Sequence, residues 1–348
     1  MAISDSELIA AWTEVLKLSR LKPTETVTIL TSQDSHPQTL SCARTAAQLA
    51  GAKVICLDLP PMNGEKSLSR DKTAYVGTTP LTNNQAAMAA LKSSDMVIDL
   101  MLLLFSPEQQ EILESGTRIL LAVEPPEVLV RLLPTEADKT RVMAAADLLK
   151  RSRSMQVTSA AGTDFRCALG DYPLLTEYGF SDEPGRWDHW PSGFLATWPN
   201  EVTSEGTLVL DRGDILLPMK RYLADPVRLT VEKGYVTEIS GSLDAELLRD
   251  YMTAFNDPEA YAISHIGWGL QPRARWSTLG LFDREATLGM DARAFEGNFL
   301  FSLGPNTEAG GTRNTACHID IPMRNCTVSL DNKPVVEKGR VLDSLEAA

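Results

Sequence analysis

Histidine is scarce in this 348-residue chain: it occurs four times, at His36, His189, His265 and His318. Basic charge is short as well, with 33 Lys and Arg against 46 Asp and Glu and a net charge of −13. A chain this acidic has no basic face with which to track phosphates, which argues against nucleic acid and anionic membrane surfaces as partners. Long apolar runs are missing too. The longest, MVIDLMLLLF at 96–105, is far too short to cross a bilayer and contains Asp99, so it reads as a buried strand. The cysteines (Cys42, Cys56, Cys167, Cys317, Cys326) are odd in number, scattered and without a CxxC pair. The opening MAISDSELIAAW carries a helix cap and an acidic turn, not a basic segment followed by an apolar one. A reduced, cytoplasmic protein is expected. No GxGxxG follows any strand signal, so a dinucleotide site of the usual kind is unsupported. Internal repeats, heptads and low-complexity tracts are absent.

What is present falls into two textures. Up to about residue 153, strand and helix signals alternate: SDSELIAAWTEVLKLSR (helix), TVTILTS (strand), HPQTLSCARTAAQLAG (helix), KVICLDL (strand), NNQAAMAALKSS (helix), MVIDLMLLL (strand), SPEQQEILESG (helix) and TRILLAVE (strand). Continuous apolar strands alternating with helices predict an α/β domain built on a parallel sheet covered on both faces, over 1–153, closed by the helix TEADKTRVMAAADLLKRSR. From 154 to 348, turns such as SAAGTD, DEPGRWDHWPSG and DRGD separate short alternating runs. That pattern predicts an α+β domain with a mixed or antiparallel sheet, in which DAELLRDYMTAF is a helix. Residues after about 338 are polar and expected to be loosely held.

The histidines carry the chemistry. His36 precedes Pro37 at a helix start and is expected at the surface. His265 is the only ionisable group in AISHIGWGLQP, and a buried neutral imidazole there needs a hydrogen-bond partner or a metal. In ACHIDIP, His318 and Asp320 sit two apart, so on a strand they project from one face. Two histidines and a carboxylate from two strands fit a mononuclear non-haem Fe(II) site, a zinc site or a structural network. DEPGRWDHWPSGF places Arg186, Asp188 and His189 between two tryptophans, either as packing or as an aromatic-lined pocket suited to a flat ring, with Glu177 just upstream in TEYG.

WDHWPSGF, TWPNE, SEGTLVLDRGD, SHIGWGLQP, DARAFEGNFLFSLGPN and CHIDIPMRNC together resemble the 2,5-dihydroxypyridine 5,6-dioxygenases of bacterial nicotinate and nicotine degradation, and LLAVEPPEVL extends the resemblance over nearly the whole chain. That family is similar in fold to the two-metal aminopeptidases of the M29 type. Those peptidases draw a carboxylate ligand from a PxGE motif, where PSGF here has Phe194, and a glutamate near SHIGWG, where this chain has His265; the HxD pair is kept. A two-metal centre needs carboxylates to balance its charge, so these exchanges point to one metal and away from peptidase chemistry.

The resemblance implies Fe(II) held by His265, His318 and Asp320, and opening of 2,5-dihydroxypyridine by O2 between ring carbons 5 and 6 to give N-formylmaleamate. The two hydroxyls lie across the ring and cannot both chelate a metal, so the protein itself must fix the ring. The expected roles are acid/base for His189, its orientation or capture of the ring N–H for Glu177, a hydrogen bond to the second hydroxyl or to bound oxygen for Ser302, and capture of an anion or pairing with a carboxylate for Arg293. Trp190 is expected at the substrate, and Leu104 and Phe105 are expected to wall the pocket from the first domain. Some family members carry histidine where this chain has Phe105, so any proton transfer or gating at that position proceeds otherwise here, or substrate entry is handled differently. A homo-oligomer is expected. The competing readings are a metallo-hydrolase, which two zinc or cobalt ions per chain would reveal, and a non-catalytic metal-binding protein, which would show no oxygen uptake.

Overall fold

The structure, a computed structural model, describes residues 3–61, 79–282 and 286–342. The first part alternates as its sequence predicts: α1 (Asp5–Leu18), β1 (Thr26–Thr31), α2 (Pro37–Leu49), β2 (Lys53–Asp58), α3 (Gln85–Lys92), β3 (Met96–Asp99), α4 (Pro107–Glu114), β4 (Arg118–Leu121), α5 (Pro126–Arg131) and α6 (Glu136–Arg151). Ser4 caps α1 in a capping box with Glu7. The four strands pair in parallel in the order β2-β1-β3-β4. Alternate residues of each strand enter separate cores. Val27, Ile29, Met96, Ile98 and Leu120 pack with α1 and α2, while Leu30, Val97 and Ile119 pack with α3 and α4. Period-two alternation thus covers the sheet on both faces.

The apolar run at 96–105 is not one strand. β3 ends at Asp99, whose buried carboxylate accepts the backbone N–H of Met101 at 2.8 Å and of Leu103 at 2.6 Å. These bonds turn the chain out of the sheet, and Leu102 and Phe105 take positive φ values of 65° and 55°. A run of leucines satisfies hydrophobic burial in a loop as well as in a strand; the one carboxylate within it decides which.

The rest is largely antiparallel: β5 (Ser154–Thr158), β6 (Asp164–Ala168), β7 (Leu174–Glu177), β8 (Trp187–His189), β9 (Phe194–Thr197), β10 (Glu205–Leu210), β11 (Ile215–Leu216), β12 (Arg221–Tyr222), β13 (Val227–Glu232), β14 (Tyr235–Gly241), α7 (Leu243–Thr253), β15 (Ile263–Gly269), α8 (Met290–Ala294), β16 (Phe299–Leu303), β17 (Ile319–Met323), β18 (Thr327–Leu330), β19 (Lys333–Glu337) and β20 (Arg340–Val341). An eight-stranded sheet runs β14-β13-β10-β6-β5-β18-β19-β20 and a five-stranded one β17-β16-β15-β9-β7. β8 leaves this region altogether and adds in parallel to β4, completing the first sheet. β20 pairs with β19, so the chain is held as far as residue 341; residues 343–348, also expected to be loose, lie outside those described. Among the described residues no helix is long and apolar enough to cross a membrane.

Candidate active site

The metal-type residues meet over β16. Ser302 pairs across with Asp320 on β17, and on the other side β15 bulges between Ile263 and Ile266, where His265 lies. Ser302 Oγ accepts the His265 N–H at 2.9 Å and donates to the His265 carbonyl at 3.2 Å, standing in for the ladder bonds lost at the bulge. Strands two apart in a sheet are separated by roughly 10 Å, so side chains from β15 and β17 touch only over a small residue on the strand between them. Ser302 is that residue.

His265 Nε2 lies 3.2 Å from His318 Nε2, and each nitrogen lies 3.1 Å from Asp320 Oδ1. This nearly equilateral triangle of donors matches three adjacent corners of an octahedron with bonds of about 2.2 Å, usual for imidazole and carboxylate ligands. The three residues are buried and are the only His, Cys, Asp and Glu group among the described residues that can hold a metal. Phe194 and Trp198 meet the His265 ring edge-to-face at 6.4 and 6.0 Å. An aromatic ring therefore stands where the peptidase comparison places a carboxylate.

Arg293 on α8 donates from Nε to the other Asp320 oxygen, Oδ2, at 2.7 Å, and from Nη1 to the Leu288 carbonyl. The carboxylate pairing expected as one of its two roles is therefore present, and it leaves Oδ1 facing the imidazoles. Burial alone would raise the Asp320 carboxyl, but the Arg293 guanidinium and the two imidazoles outweigh it and hold it well below the usual carboxylate range.

A cleft opens at the triad, and His265, His318 and Asp320 form part of its lining. Leu104 and Phe105 line it from the loop after β3, together with His189, Glu177 and Arg293. His189 is buried and its Nε2 has no partner within the protein. Burial, then the positive charge of Arg293, pushes its pKa down to about 3, so the ring is neutral at ordinary pH. Glu177 shifts the opposite way, up to about 8, through burial and then the nearby charge of Asp188. Its partner is the Ser192 hydroxyl, which donates to Oε2 at 2.8 Å; no bond to His189 forms. Two neighbouring groups with pKa values driven apart are the arrangement acid–base chemistry uses.

Two expected substrate contacts are placed elsewhere. Trp190 is fully buried, with its ring 4.8 Å from that of Trp12 and outside the cleft lining. Trp187 lines the cleft in its place, with its ring 5.8 Å from Phe105 and 6.4 Å from His189. The i, i+2 relation of Trp187 to His189 on a strand was the available signal. Ser302 has both its donor and an acceptor site occupied by the His265 backbone and does not line the cleft. Sequence reasoning passed over Leu175, Leu288, Met290 and Leu300, apolar lining residues from four separate elements or loops whose identities carry no chemical signal.

Residues 7–343 match the family model described as 2,5-dihydroxypyridine 5,6-dioxygenase. A curated 2,5-dihydroxypyridine 5,6-dioxygenase of Pseudomonas putida KT2440 is 59% identical over 342 residues, 98% of each chain. A solved structure of 2,5-dihydroxypyridine dioxygenase from that organism superimposes with a TM-score of 0.96 at 59% identity, covering 98% of both chains. AmpT of Thermus thermophilus, an aminopeptidase of the M29 type, superimposes with a TM-score of 0.60 at 16% identity over 97% of this chain and 99% of its own, which establishes the shared fold alone. With the family model spanning almost its full length, the chain belongs to the 2,5-dihydroxypyridine 5,6-dioxygenase family.

Proposed function

We propose that this protein opens the ring of 2,5-dihydroxypyridine with O2 between carbons 5 and 6, giving N-formylmaleamate, with one Fe(II) held by His265, His318 and Asp320. The triangle of two imidazole nitrogens and one carboxylate oxygen, with edges of 3.1–3.2 Å, carries the metal assignment. Fe(II) in such a set keeps neighbouring positions open, and its chemistry is the one-electron steps through which O2 reacts with a closed-shell ring. Both oxygen atoms enter the product as the C5–C6 bond breaks, so no external reductant is required.

The chain's own residues do the rest. Two neutral imidazoles and one carboxylate leave a net charge of about +1 on a divalent ion, which favours an anionic substrate oxygen. His189 offers its unpartnered Nε2 to the proton of the 5-hydroxyl. Glu177, protonated at neutral pH, presents an O–H to the opposite end of the ring. Leu104, Phe105 and Trp187 form apolar walls for the ring faces and exclude water. Arg293 keeps the Asp320 carboxylate ionised and oriented. The reading includes a cytoplasmic setting, which suits five unpaired thiols, and a homo-oligomer, which sedimentation measures.

The test is anaerobic reconstitution with iron, followed by oxygen uptake with 2,5-dihydroxypyridine. One O2 consumed per substrate, with one iron per chain, is the expected result. No uptake by iron-loaded protein overturns the reading, and two ions per chain with peptide hydrolysis moves it to the hydrolases.

A further inference from the structure

We propose that Asp188 is a positioning residue for the ring-opening reaction: its buried carboxylate fixes the backbone of His189 and of the chain flanking Glu177 to a single point, and so sets the separation of these two groups across the cleft. The inference rests on the roles given above to His189 and Glu177.

The two groups sit on strands that share no ladder. β8 is three residues long and pairs with β4 in the parallel sheet, whereas β7 is the edge strand of the antiparallel sheet and pairs with β9. Where the two strands pass, the Asp188 carboxylate ties them together. Oδ1 accepts the N–H of His189 at 2.8 Å, of Gly179 at 2.8 Å and of Tyr178 at 3.1 Å. Oδ2 accepts from Arg186 Nη2 at 2.5 Å, and the same nitrogen donates to the Thr176 carbonyl at 2.8 Å. The Arg186 guanidinium lies 3.7 Å over the Tyr178 ring. Glu177 is thereby held from both of its neighbours, Thr176 and Tyr178, and His189 through its own N–H.

Asp188 does not itself reach the substrate. It alternates with Trp187 and His189 along β8, so its side chain points to the opposite face from theirs, and it is fully buried. A buried ion pair is a poor way to gain stability, since apolar replacements of similar volume are often as stable or more so. A carboxylate that gathers backbone N–H groups from β8 and from the loop after β7 does what no apolar side chain can, which is to fix the two segments relative to each other. Displacements near 1 Å cost on the order of a hundredfold in rate.

The experiment uses iron-loaded Asp188→Asn, which keeps an acceptor for the three N–H groups but loses the charge paired with Arg186. Expected are a kcat lower by roughly tenfold or more, unchanged iron content and a KM within about twofold of the parent. In a His189→Ala background the same substitution should cost clearly less than in the parent, because one of the two groups it positions is gone. Equal losses in both backgrounds, or a kcat within about twofold of the parent, overturn the proposal. Histidine-selective NMR supplies a readout apart from turnover. With four imidazoles in the chain, the His189 signal should move in Asp188→Asn while those of His265 and His318 stay; no movement of His189 overturns the proposal even if the parent consumes no oxygen. Should Asp188→Asn fail to fold, Arg186→Lys takes its place: it weakens the clamp from its outer side, with the same directions expected and the same outcomes overturning.

Discussion

His265 and His318, 53 residues apart in the chain, bring their Nε2 atoms to 3.2 Å of each other beside one oxygen of Asp320. Without a cation, two imidazoles this close can share at most one proton between them. The arrangement favours a bound ion, and removing either ring takes a third of the protein donor set. His265→Ala and His318→Ala are each expected to retain little or no iron after anaerobic reconstitution and desalting, with the fold intact by circular dichroism. Stoichiometric iron in either variant removes that residue from the ligand set.

Arg293 supports the same centre from outside. Partners of metal-ligating groups are worth roughly 10–100-fold in metal affinity. Arg293→Met, which keeps much of the length and loses the bond to Asp320 Oδ2, is expected to weaken iron binding by a factor in that range, measured by competition with a chelator. An unchanged affinity would show that Asp320 is oriented without it.

His189→Ala should bind iron normally and turn over about 10²–10⁴-fold more slowly, the usual contribution of a positioned acid or base. The control is iron content measured on the sample used for oxygen uptake. Near-wild-type kcat in iron-replete His189→Ala would assign the proton transfer to another group.

Glu177 ties stability to pH. Its folded pKa, about 8, lies above the ordinary value of 4.5. The folded state therefore holds the proton more tightly than the unfolded state, and the stabilisation from this is complete below about 4.5 and disappears as pH rises through about 8. Glu177→Gln cannot titrate, so the difference in unfolding free energy between parent and variant should change across that window, by on the order of a few kcal/mol, and be level outside it. Urea unfolding at several pH values measures this; a constant difference from pH 4 to 9 contradicts the raised pKa.

The two tryptophans of WDHW separate substrate contact from packing. Trp187→Ala opens a wall of the cleft and is expected to raise KM with modest loss of stability. Trp190→Ala empties a fully buried site against Trp12. About 3–5 kcal/mol of stability should be lost, with KM of the remaining folded enzyme unchanged. Steady-state kinetics with thermal unfolding on both variants reads the pattern, and its reversal would place Trp190 at the substrate instead.

Local periodicity determined a good deal by itself. Alternating β-branched runs and capped helices specify a parallel sheet with helices on both faces, and the HxD spacing puts His318 and Asp320 on one side of the chain, because strand geometry repeats every two residues wherever the strand is placed. The donor types of the centre were likewise legible, since a lone imidazole in an apolar strand requires a partner. Tertiary structure alone decided the rest. β8 crosses into the first sheet, and the direction in which it enters turns Trp187 to the cleft and Trp190 to the core. The bulge in β15 occupies Ser302 with the His265 backbone, and Asp99 ends β3 early so that Leu104 and Phe105 reach the site from a loop. Each of these depends on hydrogen bonds between segments distant in sequence or on a single polar group inside an apolar run, and an alternation of period two carries no record of which strands will be neighbours.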